Sequence, residues 1–141
     1  MDVFDFRERG GSGVDSRIED LAKEVIGAAI EVHRLLKPGR PENAYKLALC
    51  HELTLRRVQH ESEARIPIVF KGVLVGESFI NILVEKCLIL ELKACDALND
   101  AHRAQVIGYL QGSGLKLALL INFNVAQLRN GIKRIVNTYS S

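Results

Sequence analysis

Cys87-Leu88-Ile89-Leu90-Glu91-Leu92-Lys93 is the stretch on which the reading of this chain turns. Side chains alternate sides along a strand, so Glu91 and Lys93 project together while Leu92 points the other way. A carboxylate and an ammonium then stand side by side on a segment otherwise built for burial. Burying a charge is costly unless it is paired or holds a metal. A plain ion pair at a strand end meets that condition. So does a cation site in which the lysine lies near an attacking water or a phosphate.

On the upstream side, Phe79 to Val84 is a second apolar run, joined to the first at Glu85-Lys86, which predicts a tight antiparallel hairpin of central strands. Before it, Ile66, Ile68 and Phe70 alternate with other residues, Lys71-Gly72 offers a turn, and Val73 and Val75 resume the alternation. On the downstream side, Asn99 can cap a helix from about Asp100 to Gln111, ended by Gly112-Ser113-Gly114. Leu115 to Ile121 reads as a strongly apolar strand. A short helix near Ala126 to Arg129 and a closing segment from Ile132 to Val136 follow.

Two helices are expected ahead of the strands. Ser16-Arg17-Ile18-Glu19 has the pattern of a capping box. Ile18, Leu21, Val25, Ala28, Ala29, Val32 and Leu35 then recur at helical spacing to about Leu36, where Lys37-Pro38-Gly39 ends the helix. Pro41 suits the first turn of a second helix, whose apolar stripe takes in Tyr45, Ala48, Leu49, Leu53 and Leu55. Residues 1–15, with Arg9-Gly10-Gly11-Ser12-Gly13, read as a flexible extension, and residues 16–141 as one domain. A strand, a crossover helix and a further strand imply a partly parallel sheet, and the hairpins imply antiparallel pairs within it. The fold class is α/β, a mixed sheet flanked by helices.

Composition sets the outer bounds. The chain has 141 residues, long enough for a real core, with 48% hydrophobic and 26% charged residues, as in ordinary globular domains. A formal net charge of +2 neither demands nor excludes a nucleic-acid partner, because a groove can be basic on a nearly neutral protein. Cys50, Cys87 and Cys95 are an odd number without C-x-x-C spacing, which points to a reducing compartment and no zinc site. No apolar stretch approaches a membrane span, and the start lacks a basic region with an apolar core behind it. A cytoplasmic location is expected. His33, His51, His60 and His102 show no metal-type pairing, and no aromatic stacking series stands out.

Gly39-Arg40-Pro41-Glu42-Asn43-Ala44-Tyr45 spells a literal Gly-x-x-Glu-x-x-Tyr. Together with Glu91-Leu92-Lys93, Gln105-Val106-Ile107-Gly108-Tyr109 and Leu120-Ile121-Asn122-Phe123, it resembles the GxxExxY protein family over roughly residues 18–137. That family is a branch of the PD-(D/E)xK nuclease-like superfamily, and its motifs follow the RecB-like pattern. The resemblance implies a restriction-endonuclease-like core and Mg²⁺- or Mn²⁺-dependent hydrolysis of phosphodiesters, with DNA ahead of RNA as substrate. It implies Glu42 as the helical acid, Glu91 as the strand carboxylate, Lys93 as the lysine, and Gln105 with Tyr109 on the following helix. The carbonyl of Leu92 is a further implied ligand.

Mg²⁺ wants hard oxygen ligands and keeps several waters, so a few carboxylates can leave a face open for a phosphate. One position departs from the family. Members place an aspartate ten residues before the strand glutamate, and here that position is Asn81. An amide keeps one carbonyl oxygen for a metal and loses the negative charge. Weakened ion binding and impaired hydrolysis are the expectation, with Glu77 or Glu85 in less favourable positions to compensate. The alternative is a non-catalytic module that keeps the fold to bind nucleic acid or protein. Homodimerisation through an exposed edge strand is also expected to be open to a domain of this size.

Overall fold

The computed structural model describes residues 13–138. Residues 1–12 of the expected flexible extension lie outside the described residues. Helix α1 (Ser16–Leu36) is capped by Asp15, whose side chain accepts the Ile18 N–H at 2.9 Å. The cap thus stands one residue before the expected Ser16, where a carboxylate both satisfies an orphan N–H and meets the positive end of the helix. Lys37 ends the helix at φ 62, its N–H donating to the His33 carbonyl at 2.8 Å. Helix α2 (Glu42–Leu55) begins after Pro41, which serves as the extended cap residue rather than in the first turn. Tyr45, Leu49 and Leu53 form its buried stripe, one position every four residues. Leu55, expected in that stripe, lies at the last position of the helix and is 64% exposed.

Five strands form a single sheet in the order β1 (His60–Phe70), β2 (Val73–Val84), β3 (Leu88–Lys93), β4 (Leu117–Asn122), β5 (Ile132–Val136). Strands β3 and β4 are parallel and connected through α3 (Asp100–Ser113), while every other neighbouring pair is antiparallel. The helix expected near Ala126 is a 3-10 turn, Leu128–Gly131. Every residue of β4 is buried, as its unbroken apolar run requires of a strand covered on both faces. Asn99 caps α3 by accepting the His102 N–H, and the His102 ring accepts the Asn99 N–H in return. Gly114, at φ 74, ends α3 in the left-handed conformation that suits glycine.

Helices α1 and α2 cover one face of the sheet, packing on Ile82, Val84, Leu88, Leu90, Leu92, Leu119 and Ile121. Helix α3 covers the other through Val106, Tyr109 and Leu110, against Ala64, Ile66, Ile80, Ile89 and Leu120. Ile80 and Ile82 are two residues apart, yet they serve opposite layers. In a regular strand they would share a face. The change of face coincides with Glu63, at φ 55, where β1 continues in register but the Glu63–Asn81 pair is skipped between Ser62–Ile82 and Ala64–Ile80. Such an irregularity turns the strand and re-aims its side chains. The β1–β2 hairpin therefore swings onto α3.

Helix α3 covers this hairpin only as far as Ile66. Beyond it, Val69, Phe70, Val73, Leu74 and Val75 are 58–64% exposed, and Ile68 and Phe79 are exposed too. The alternation that predicts half-buried strands here yields a free-standing apolar tip instead. Periodicity marks a strand, but it does not say whether another element lies over it.

Candidate active site

Glu91 and Lys93 end β3 on the α3 side, while Leu92 between them is buried in the α1–α2 layer. The Lys93 Nζ lies 3.4 Å from Glu91 Oε2 and donates to Gln105 Oε1 at 3.1 Å. Gln105 stands one turn before Tyr109 on α3, so the crossover helix delivers both to the same strand end. Glu91 is only 4% exposed, and its Oε1 is buried without a hydrogen-bond partner. Burial pushes the Glu91 carboxyl up to about 6, while the Lys93 ammonium and the Asn81 backbone N–H pull it down and the charge of Glu42 adds to the rise. A buried carboxylate with one satisfied and one orphaned oxygen calls for a proton or a cation.

Asn81 occupies a gap in the sheet. The β2–β3 ladder runs from Val84–Leu88 to Ile82–Leu90 and stops, so the next pair, Asn81 and Glu91, is unladdered. The side chain takes over from the backbone there, and Asn81 Oδ1 accepts the Leu92 N–H at 2.8 Å. One lone pair of that oxygen is thereby spent, and a carbonyl oxygen has two. Glu77 reaches only Arg65, at 3.4 Å, and Glu85 sits at the turn that begins β3, at the opposite end of the strand from Glu91. Neither is placed to supply the charge that Asn81 lacks.

The Gly39–Tyr45 segment forms the entrance to α2. Gly39 adopts φ 98, a left-handed conformation, and its N–H donates to Asn124 Oδ1 at 3.1 Å. The buried Tyr45 hydroxyl donates to the Lys37 carbonyl and accepts the Arg40 N–H. Its ring stacks on Phe123, with centroids 4.6 Å apart and planes within 9°. Phe123 directly follows β4, so these contacts fix the start of α2, and with it Glu42, beside the ends of β3 and β4. Across the same end, Asn122 accepts the Cys95 and Asn124 N–H groups at 3.1 Å and donates to the Cys95 carbonyl at 2.9 Å. It ties the loop after β3 to the loop after β4.

Glu42, Asn81, Glu91, Leu92, Lys93 and Gln105 thus gather at one end of the sheet, drawn from α2, β2, β3 and α3. Sequence reasoning missed Glu63 and Lys46, which pair at 2.9 Å between β1 and α2. The Tyr109 phenol is pushed up to about 12, by burial first and then by the charges of Glu91 and Glu63. It remains a neutral hydroxyl at any physiological pH. Three of the four histidines are engaged elsewhere: His33 bonds the Val125 carbonyl at 2.7 Å, His60 the Val58 carbonyl at 3.0 Å, and His102 caps α3. Arg56 is held by Glu24 and Glu52.

Among the described residues, no group of three or more histidine, cysteine, aspartate or glutamate side chains gathers to hold a metal ion. The oxygen donors at this end are the orphaned Glu91 oxygen, the Glu42 carboxylate whose charge is felt at Glu91, and the remaining lone pair of Asn81. All are hard oxygens, which suits Mg²⁺ or Mn²⁺ rather than a softer metal. The set fits such an ion, with less charge than a second strand carboxylate would bring. No helix among the described residues is long and apolar enough to cross a membrane. The family model for the PD-(D/E)XK nuclease superfamily matches residues 19–135. No curated protein and no solved structure matches the chain.

Proposed function

Because the chain belongs to the PD-(D/E)XK nuclease superfamily, we propose that it is a divalent-metal-dependent phosphodiester hydrolase acting on DNA, slowed by the amide at position 81. The observation that carries this reading is the buried Glu91–Lys93 pair, with one carboxylate oxygen left without a partner. Its Gly39-x-x-Glu42-x-x-Tyr45 motif supports the GxxExxY branch, since Gly39 and Tyr45 both hold the entrance to α2, the helix that Glu42 begins.

In this reading Glu91, Glu42 and the free lone pair of Asn81 hold Mg²⁺ or Mn²⁺, joined by the Leu92 carbonyl. When bound, such an ion would acidify a water and offset charge on the departing oxygen. Lys93, steered by Gln105, offsets charge that builds on the phosphate or orients the attacking water. Gln105 acts through Lys93 and is a positioning residue. The negative charge absent at Asn81 weakens the hold on the ion and lowers turnover without altering the layout.

The test is cleavage of labelled single- and double-stranded DNA in Mn²⁺ and Mg²⁺ by the parent protein and by Lys93→Ala. Slow, metal-dependent cleavage, reduced about 100-fold or more by the substitution, is the expected result. Cleavage that persists in the variant would exclude Lys93 from the chemistry.

A second reading, a non-catalytic nucleic-acid or protein-binding module, is favoured by one observation: Asn81 Oδ1 already serves the Leu92 N–H. It predicts binding that is indifferent to replacement of both Glu91 and Lys93 by alanine. Self-association is the remaining element of the proposal. The edge strand β1 is an unpromising place for it, because Pro67 lacks an N–H. The exposed apolar tip from Val69 to Val75 supports a face-to-face dimer instead, to be read by sedimentation velocity at rising concentration.

A further inference from the structure

Where the β1–β2 hairpin swings onto α3 it leaves a groove of about 660 Å³, within the range of roughly 300–1,000 Å³ that small ligands occupy. Ile66, Pro67 and Ile68 form one wall. Opposite them, Ala104, Gly108 and Gly112 recur every four residues and so lie in line along one face of α3. Gly112 is required by the packing, since a Cβ there would stand 2.8 Å from the Ile66 Cγ2 atom. Gly108 is different: a Cβ there would meet nothing within 4 Å, so this glycine faces open space.

Two features point to an occupant. First, the groove is continuous with the catalytic end, because Gln105 lines it and also holds Lys93 at 3.1 Å. Second, among the described residues no lysine, arginine, aspartate or glutamate lines it. Duplex DNA carries about one negative charge per 1.7 Å of its axis, and a groove without cations gives that backbone nothing to bind. A nucleobase has the complementary character: flat apolar faces for the Pro67 and Ile68 wall, and a polar edge for amides and hydroxyls. The groove offers Gln105 and Gln111 amides and the Ser78 hydroxyl for that edge.

We propose that this groove seats an unpaired base of the strand whose phosphate lies at Lys93, which makes the protein selective for single-stranded over fully paired DNA. The proposal rests on the nucleic-acid reading given above and deepens it. Selectivity arises because a base inside a duplex is stacked and paired, and must be extruded before it can enter.

The test is fluorescence anisotropy in Ca²⁺, which avoids turnover, with three probes of equal length: a single strand, the same strand as a blunt duplex, and an abasic strand. The abasic probe keeps the sugars and phosphates and removes only the bases. The intact single strand should bind about tenfold or more tighter than either comparison probe, the scale of one or two stacked bases. Gly108→Leu fills the groove and should lower single-strand affinity to the abasic level. Gly108→Ala, which adds only a methyl facing open space, should keep most of it and shows that helix substitution alone is harmless. Equal affinity for intact and abasic strands, a preference for duplex, or indifference to Gly108→Leu would each overturn the groove. A chain that cleaves DNA in Mn²⁺ but ignores the bases loses only this inference. One that binds bases through the groove but never cleaves loses the hydrolytic reading instead.

Discussion

Glu91 carries the largest electrostatic tension at the candidate site. Folding raises its carboxyl from the usual 4.5 to about 6, with burial the main cause. A group raised by folding stabilises the native state through its neutral form. That contribution is complete below about pH 4.5 and is lost as pH rises through about 6. At neutral pH the metal-free protein therefore carries a strained carboxylate, costing up to about 2 kcal/mol once the offset from Lys93 is included. Glu91→Gln keeps the shape and removes the ionisation. Urea unfolding in a chelator at pH 4.5 and pH 7 should show the parent losing stability between the two and the variant losing much less. Equal slopes would mean that Glu91 is not the group responsible. At the same scale, Glu91 and Lys93 were legible in the sequence because strand alternation puts them on one side. The Glu63–Lys46 pair was not, since it joins a helix to a strand across 17 positions with no shared period. Asp15 and Ser16 are both good cap residues, and only the geometry separates them.

Among the elements, α2 depends most on a single side chain. Tyr45 holds the Lys37–Arg40 turn through two hydrogen bonds from its hydroxyl and stacks on Phe123. Tyr45→Phe retains the stacking and removes both hydrogen bonds to this half-exposed turn, at a cost of about 0.5–1.5 kcal/mol. Thermal melting should register that loss, and calorimetry should find weaker Mn²⁺ binding because Glu42 is less well fixed. Unchanged Mn²⁺ affinity beside the lower melting point would separate the loop from the ion. The order of elements and the mixed sheet follow from the sequence patterns, because long apolar runs and caps are local signals. The turn of the β1–β2 hairpin onto α3 does not, since it arises from one positive φ at Glu63 and a skipped pair at Asn81. That irregularity creates both the gap beside Glu91 and the groove along α3. A sequence read for alternation alone makes the hairpin regular and misses both.

Taken as a whole, the molecule has the superfamily's fold, and the proposed site differs from the resemblance by one charge, at Asn81. Helices on both faces bring α2, β2, β3 and α3 to a common end of the sheet, and the crossover through α3 places Gln105 against Lys93. In the proposed reading, Asn81 stands where the resemblance implies an aspartate. Aspartate there could keep the Leu92 N–H on one oxygen and present the second, charged oxygen to an ion. The decisive measurement is Mn²⁺-dependent cleavage of DNA by the parent protein, Asn81→Asp, and Asn81→Asp combined with Lys93→Ala. The layout predicts that restoring the carboxylate raises the rate about tenfold or more and that the added lysine change returns it to background. An Asp variant no faster than the parent on single- or double-stranded DNA, in Mn²⁺ or Mg²⁺, would contradict a metal-dependent nuclease site at this end of the sheet.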